Sequence, residues 1–176
     1  YILIMGQKEG DSALNSLYAK GYETSYDWIL DVVLKIRKYT DRPIKIRPHP
    51  RGLIKGMRQI DSKAFKDFKN VEVSDNVREG GNQGGLGLEC DLRNAYCIVT
   101  FNSLSSIEAA ILGIPIFALD DGCMTYSIAH KKLSNIENIN YEIDITQWQN
   151  KIAYTMWNKE DVSTGKTWAH LKPVYF

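Results

Sequence analysis

The sequence predicts an α/β domain, in which helices pack against a parallel β-sheet, followed by a helical C-terminal tail. Short apolar runs alternate along the chain with segments of helical periodicity, which is typical of βα units. Residues 96–101 and 114–119 are apolar enough to be strands buried on both faces, as the strands of a parallel sheet are. Residues 24–39 place apolar side chains at the i, i+3, i+4, i+7 spacing of an amphipathic helix. These side chains are Ile29, Val32, Val33 and Ile36.

The first half of the chain is predicted to hold three strands and two helices. An apolar run opens it, and the turn-rich segment behind that run offers Asp11 or Ser12 as a helix cap. The second strand ends where two prolines remove backbone N–H donors. In order, the elements are strand 1–5, helix 24–39, strand 44–47, helix 60–68 and strand 71–73.

The second half repeats the alternation and then continues into helices. Five glycines lie within residues 80–87, and we expect a mobile loop there because glycine is costly in regular structure. A plain linker is favoured over a phosphate-binding loop, because the stretch lacks a Lys-Ser/Thr ending. In order, the elements are helix 88–94, strand 96–101, helix 107–112, strand 114–119 and helices 146–157 and 160–171.

Length and composition predict one folded domain with a tail. The chain has 176 residues, and its 44% apolar and 24% charged residues exclude wholesale disorder. We assign residues 1–145 to the α/β domain and residues 146–176 to a helical tail packing on it. A strand at the first residue, without an initiator Met, predicts that sequence upstream is missing.

The location of the protein is predicted from what the sequence lacks. No uncharged apolar run approaches the roughly 18 to 20 residues that cross a bilayer, so no membrane span is expected. A secretory signal is also missing, which favours the cytoplasm. The three cysteines are odd in number and contain no CxxC pair, so neither a disulfide framework nor a cysteine zinc site is expected. Three scattered histidines, without HExxH or EF-hand spacing, lead us to expect no metal.

Positive charge is concentrated in one segment of the chain. Residues 35–69 contain 12 of the 22 Lys and Arg residues against three Asp, a net charge of +9 in a chain whose total is +1. This asymmetry fits a partner that carries phosphate groups. A solvated basic face is an equally good interpretation of the same pattern.

Polar and charged side chains gather directly after four of the predicted strands. Ligands of an open parallel sheet bind outside the carboxyl ends of its strands, so these four loops form the candidate site. The loops contribute Gln7, Lys8, Asp11 and Ser12; Arg47, His49 and Arg51; Asn102, Ser103, Ser105, Ser106 and Glu108; and Asp120 and Asp121.

The loop after the fourth strand has the strongest chemical signal. Serine hydroxyls at a helix start lie beside unpaired backbone N–H groups, which together suit a diphosphate. Glu108 follows within the helix and is placed to accept hydrogen bonds from a ribose. The alternative is that Ser105 or Ser106 caps the helix and Glu108 favours its dipole.

Two of these loops resemble motifs of GT-B glycosyltransferases. Residues 100–115, TFNSLSSIEAAILGIP, resemble the donor-binding signature of that family, with a Ser-rich turn, an acidic residue followed by Ala, and Gly-x-Pro. Residues 47–51, RPHPR, resemble the Lys/Arg-Pro-His-Pro element of capsular-polysaccharide-type glycosyltransferases. Gln7 and the Asp11-Ser12 pair fall where that group carries a Gln and an Asp-Ser. The resemblance covers residues 1 to about 130 and corresponds to the C-terminal, donor-binding half of a GT-B enzyme.

The resemblance implies a Rossmann-like, three-layer domain that binds a nucleoside-diphosphate sugar, with a UDP-sugar favoured, and needs no metal or other cofactor. Positive charge and N–H donors would stabilise the departing diphosphate in place of a metal. Asp120-Asp121 is the one candidate exception. By the same resemblance, Ser103, Ser105 and Ser106 bind the donor phosphates and Glu108 binds the ribose. Arg47 and His49 bind the diphosphate or the leaving oxygen, and Arg51 and Asn102 also contact the donor. The residues at the inter-domain cleft are Gln7, Lys8, Asp11 and Ser12.

The tail is similar to the ending of glycosyltransferases from tailed phages. The similarity rests on Trp148 and on residues 153–157, 160–162 and 165–171. It implies a protein of the host cytoplasm, and it adds modified phage DNA to polysaccharide as an acceptor class. The tryptophans Trp148, Trp157 and Trp168 are also explained as anchors that pack a tail helix.

Two other functions fit the same residues. A nucleotide-sugar 2-epimerase shares the fold and the donor site, and a non-catalytic module would hold a nucleotide or glycan without transfer. GT-B enzymes take the acceptor and the catalytic base from the N-terminal half, which this chain does not contain. The base, the stereochemistry of transfer and the oligomeric state therefore stay open.

Overall fold

The computed structural model describes residues 1–50, 65–74, 85–140 and 142–175 of the chain. By its internal contacts the chain divides into two compact units, Tyr1–Glu142 and Ile143–Phe176. Among the described residues, no helix combines the length and the apolar character that crossing a membrane requires.

The first unit is built on a five-stranded parallel sheet. Its spatial order is β3-β2-β1-β4-β5, so the first strand lies in the middle. Met5 at the end of β1 pairs with Arg47 of β2 on one side and with Thr100 of β4 on the other. The residues that follow these three strands therefore meet at one edge of the sheet. The strands are β1 (Ile2–Met5), β2 (Ile44–Arg47), β3 (Val71–Val73), β4 (Cys97–Thr100) and β5 (Ile116–Ala118).

Helices connect the strands on both faces of the sheet. Right-handed connections are the rule between parallel strands. Because the chain moves from β1 toward β2 but from β4 toward β5, the rule puts the helices of these connections on opposite faces. This arrangement confirms the predicted Rossmann-like α/β fold. The helices are α1 (Asn15–Ala19), α2 (Ser25–Ile36), α3 (Gly85–Leu92) and α4 (Ser105–Ile111).

The helix α2 shows how local sequence sets an element. Thr24 accepts a hydrogen bond from the backbone N–H of Asp27 at 3.1 Å, and the Asp27 carboxylate accepts one from the N–H of Thr24 at 2.9 Å. This capping box fixes the start of the helix. The predicted apolar stripe then packs into the core against β1, β2 and β4, whose apolar side chains are fully buried. All four stripe residues are at most 1% exposed.

Two predicted helices of the first unit differ from the structure, and two short elements after β1 were not predicted. The helix before β4 begins at Gly85, not at residue 88, so the C-terminal end of the glycine stretch is helical. Residues 65–68 of the helix predicted at 60–68 form turns, and residues 60–64 lie outside the described residues, as do glycines 80, 81 and 84. The sequence reading also missed a 3-10 turn, Ser12–Leu14, and the short α1 behind it. Asp11 does cap that turn, because its Oδ1 accepts from the Ala13 N–H at 3.0 Å.

The second unit consists of three helices, which confirms the predicted helical tail. The predicted helix 160–171 is in fact two helices, because Gly165 adopts a left-handed φ of 74° that ends the first of them. The ring of His170 lies 5.1 Å from that of Tyr154 and 5.2 Å from that of Trp157. The helices are α5 (Thr146–Thr155), α6 (Lys159–Ser163) and α7 (Lys166–Tyr175).

The tryptophans of the tail differ in burial. Trp148 is 5% exposed, whereas Trp168 is 56% exposed. The indole N–H of Trp157 is buried and has no hydrogen-bond partner among the described residues. The exposure of Trp168 therefore does not fit the anchoring explanation.

Candidate functional site

A cleft of about 400 Å³ opens at the carboxyl edge of the sheet. It lies above β1, with β2 on one side and β4 on the other. This is the switch point of the strand order, where open α/β sheets bind ligands. Its walls come from the loops after these three strands. The predicted site residues that line it are Gln7, Lys8, Asp11, Arg47, His49, Asn102, Ser103 and Ser105.

Gln7 holds two walls of the cleft together. Its side-chain Oε1 accepts from the backbone N–H of Asn102 at 2.8 Å, and its Nε2 donates to the carbonyl of the same residue at 3.0 Å. The amide thus extends the pairing of β1 and β4 by one more pair of hydrogen bonds. Gln7 was predicted as a ligand contact, and the structure shows that its amide fixes the spacing of the two loops.

The loops after β1 and β2 approach each other closely at Gly6. Its backbone N–H donates to the carbonyl of Arg47 at 2.8 Å. A Cβ at this position would lie 2.9 Å from that carbonyl oxygen and 3.3 Å from the Cα of Pro48. Only glycine fits between these backbones, so any side chain here would force the cleft walls apart.

The positive charge of Arg47 is balanced inside the protein. Its Nη1 forms an ion pair with the carboxylate of Asp91 and donates to the carbonyl of Gly87 at 3.1 Å. The Arg47 side chain is 8% exposed and that of Asp91 is fully buried. Ser74 donates to the same carboxylate at 2.7 Å. Arg47 reaches the cleft, but with Asp91 behind it the pair contributes N–H donors and little net charge.

Lys8 is the cation that the described part of the cleft leaves free. Its side chain is half-buried and makes neither a hydrogen bond nor an ion pair with the described residues. The neighbouring Glu9 holds the loop in place, since its carboxylate accepts from the Ser25 backbone N–H at 2.6 Å, from the Ser25 hydroxyl and from Tyr18 at 2.9 Å. The loop is therefore tied to the start of α2 while Lys8 stays available for a ligand.

The serines after β4 divide into two groups. The hydroxyl of Ser103 accepts from the Ser105 N–H at 3.3 Å, and both residues line the cleft. Ser106 is instead fully buried and its Oγ accepts from Thr125 at 3.0 Å, away from the cleft lining. Leu104 occupies the cap position of α4 without a side-chain cap. The alternative that Ser105 or Ser106 caps this helix is therefore wrong.

Five predicted site residues do not line the cleft. Ser12, Glu108 and Asp121 are exposed and outside its lining, and Ser106 and Asp120 are buried and outside it. Arg51 lies outside the described residues. Glu108 is three positions after Ser105, so the two share a face of α4 even though only Ser105 reaches the cleft.

Asp120 connects the loop after β5 to the rest of the site. It is 3% exposed, and its Oδ2 accepts from Ser16 at 2.8 Å and from Lys20 at 3.0 Å. Its Oδ1 accepts from the Gly122 N–H at 3.1 Å. Burial by itself raises the pKa of Asp120, but the hydrogen bonds from Ser16 and Lys20 outweigh it and leave the pKa below its ordinary value. Asp120 thus holds a hydrogen-bond network, whereas the sequence singled it out only with Asp121, as the candidate exception to a metal-free site.

Much of the basic segment is paired with acids outside it. Lys35, Arg42 and Lys45 form ion pairs with Asp31, Glu137 and Glu72, at 2.6, 3.0 and 3.0 Å, and Arg47 pairs with Asp91. Among the described residues of the segment, Lys38, Lys66 and Lys69 remain exposed and without an ion pair. The net charge of +9 therefore overstates what this segment offers to a partner.

The loop-holding acids Asp91 and Glu9 were not found from the sequence. Each lies several residues from its strand end, and its partner is distant in the chain, so no local pattern marks it. The described residues contain no cluster of three or more His, Cys, Asp or Glu side chains that could hold a metal.

No known protein indicates what this cleft binds, so its ligand is inferred from the side chains that line it. Comparison with protein-family models, with curated proteins and with solved structures finds no match for this chain.

Proposed function

We propose that this chain is the donor-binding half of a GT-B glycosyltransferase and that its cleft holds the diphosphate of a nucleoside-diphosphate sugar, with a UDP-sugar favoured. The observation that carries the proposal is the cleft itself: three loops meet at the switch point of a parallel sheet, and a half-buried lysine, unpaired among the described residues, lines it. A volume of about 400 Å³ is within the usual range for small-molecule sites.

The ligand groups follow from the charges in the cleft. Lys8 supplies the positive charge, since Arg47 is already paired with Asp91. The Arg47 bonds within the described residues both use Nη1, which leaves Nε and Nη2 as donors for a phosphate oxygen. The hydroxyls of Ser103 and Ser105 lie on the opposite wall. A phosphate group placed between these walls would meet donors from both sides.

These residues would act on the leaving group during transfer. When the bond between the sugar and the diphosphate breaks, negative charge grows on the diphosphate oxygen, and fixed donors in a cleft stabilise that charge. Lys8 and Arg47 would do this, and His49 lines the same wall. The acceptor, a glycan or modified DNA, and the catalytic base would come from an N-terminal half.

Calorimetry with UDP tests the proposal. We expect heat of binding for the chain, and a loss of about 1.5–3 kcal/mol in Lys8→Ala, which is the usual contribution of a hydrogen bond to a charged group. Lys66→Ala is the matched control, because Lys66 is also unpaired among the described residues but lies outside the cleft. No heat with any nucleoside diphosphate at millimolar ligand, or equal losses in the two variants, would exclude the donor site.

A non-catalytic binding module is the second candidate. It is favoured by the number of polar groups that serve the fold, since Gln7, Arg47 and Asp11 all hold loops in place. Release of free nucleoside diphosphate from a nucleotide sugar, in the presence of acceptor and of the completing half, separates the two. A module would bind the nucleotide sugar and release none.

A further inference from the structure

A second concavity lies on the face of the first unit that carries α2. Its volume is about 570 Å³, and none of its lining residues is shared with the cleft. Five lysines line it, against one lining carboxylate, Asp31. They come from three separate segments: the residue after α1, the end of α2 with the residues that follow it, and the stretch after β5. The lysines are Lys20, Lys35, Lys38, Lys131 and Lys132.

Two carboxylates neutralise part of this charge: Asp31 in the lining and Asp120, the buried partner of Lys20. Lys20 pairs with Asp120 at 3.0 Å and Lys35 with Asp31 at 2.6 Å. Lys131 donates to two backbone carbonyls, which orient its ammonium without cancelling its charge. Five lysines against these two carboxylates leave an excess of three positive charges around the groove.

Two of the lysines have no partner among the described residues. Lys38 and Lys132 are exposed and make neither a hydrogen bond nor an ion pair with that part of the chain. Lys38 lies just after α2 and Lys132 in the stretch after β5, so the two come from different segments of the lining. Their ammonium groups are therefore free to bind an anion in the groove.

The floor of the groove strengthens the field of these charges. It is formed by apolar side chains, including Trp28 and Phe101, whose rings meet edge to face at 5.7 Å. Lys20 lies over the Phe101 ring, with Nζ 4.8 Å from its centre. A concave surface with a low-dielectric floor focuses the potential of the charges around it. An anion in this groove would be held more strongly than one above scattered surface lysines.

We propose that this lysine groove binds a ligand that carries at least two phosphate groups in a row. Phosphate matches the lysines because an ammonium acts as a point charge that needs no fixed angle. The spread of the lysines over three segments requires more than one anionic group. A free oligophosphate chain and the backbone of a nucleic-acid strand share this chemistry, and the experiment distinguishes them.

The test uses the full chain with two probes, inorganic tripolyphosphate and a ten-residue oligothymidylate. Affinities are measured for wild type, for Lys38→Ala/Lys132→Ala, and for Lys66→Ala/Lys69→Ala. Both pairs of lysines are exposed and without ion pairs among the described residues, so both variants should fold and lose the same charge. The second pair lies outside the groove and is the control.

We expect the groove variant to lose at least tenfold in affinity for tripolyphosphate and the control to lose less than twofold. If the oligothymidylate binds as well, a plot of its log affinity against log salt concentration should be less steep for the groove variant. The slope should fall by about 1.4, because each of the two lost phosphate contacts contributes about 0.7. Binding of both probes points to a nucleic-acid backbone. Binding of tripolyphosphate alone points to a free oligophosphate.

Amide shift mapping by NMR separates this groove from the cleft. Tripolyphosphate should move the backbone signals around Tyr39 and Leu133, which line the groove. Shifts confined to the cleft, at Gln7 and Ser103, would overturn the proposal. Equal losses in the two double variants, or no binding of either probe to wild type, would overturn it as well.

Discussion

Replacing Asp91 by Asn should destabilise the first unit by about 3–5 kcal/mol, because it leaves the charge of Arg47 buried without its partner. Burial decides the magnitude. The Asp91 side chain is fully buried and that of Arg47 is 8% exposed. An exposed ion pair contributes only about 0–1 kcal/mol. The introduced amide would keep the shape of the side chain and still accept from Ser74, so the loss isolates the charge.

Urea unfolding followed by circular dichroism measures this loss. Glu89→Gln is the control on the same helix, since Glu89 pairs with Arg93 at 3.3 Å with side chains 58% and 71% exposed. We expect that variant to cost less than about 1 kcal/mol. The double variant Arg47→Met/Asp91→Leu should recover at least half of the loss, because replacing a buried pair by apolar groups is often neutral.

Two results would refute this reasoning. If Asp91→Asn costs no more than the Glu89 control, the charge of Arg47 is not desolvated. If the double variant is no more stable than the single one, the loss comes from packing around α3. The first result would also mean that Arg47 offers its full positive charge to the cleft.

Four further predictions follow from individual side chains. Burial raises the pKa of Cys97 to about 12, so iodoacetamide at pH 8 should label the exposed Cys90 and leave Cys97 unmodified until the chain unfolds, as read by mass spectrometry. Because the pKa of Asp120 is lowered in the folded chain, the ionised carboxylate stabilises the fold fully above its ordinary pKa of 3.8, and this contribution is lost as the pH falls through the lowered pKa. Asp120→Asn should therefore make the free energy of unfolding depend less on pH in that acid range. Glu108→Ala should weaken UDP binding by about 1–3 kcal/mol in calorimetry if the ribose extends along α4 from Ser105. UDP binding should persist in EDTA, because Lys8 and the N–H donors of the cleft supply the positive charge; restoration by Mg²⁺ or Mn²⁺ after loss in EDTA would contradict this.

The fold was predictable from the sequence because its signals are local. The strands are short apolar runs between turns, and the stripe on α2 has a clear period, so each could be located without knowing its neighbours. The helix at Gly85–Leu92 was placed too late because two of its eight residues are glycines, which have poor helix propensity. Leu92 is buried in the core and Asp91 is paired with Arg47, and these tertiary contacts hold the helix in place despite its glycines.

The location of the cleft was predictable, but the roles of its residues were not. A polar residue after a parallel strand must lie near the carboxyl edge of the sheet, which placed Gln7, Arg47 and Ser103 correctly. Whether such a residue faces a ligand depends on partners far along the chain. Gln7 bonds to a residue 95 positions away, and Arg47 to one 44 positions away. No local pattern in one sequence contains that information.

The distant partners also determine how the cleft can act. Gln7 joins the loops after β1 and β4, Glu9 ties the first of them to α2, and Asp91 holds Arg47. Groups held in this way need little rearrangement when a ligand arrives, and preorganised donors stabilise developing charge better than mobile ones. The side chains that hold the loops in place, Gln7, Glu9 and Asp91, would therefore allow Lys8 and Ser103 to bind a ligand without rearrangement. Breaking the Glu9 contact with Ser25 should for this reason weaken ligand binding even though Glu9 is absent from the cleft lining.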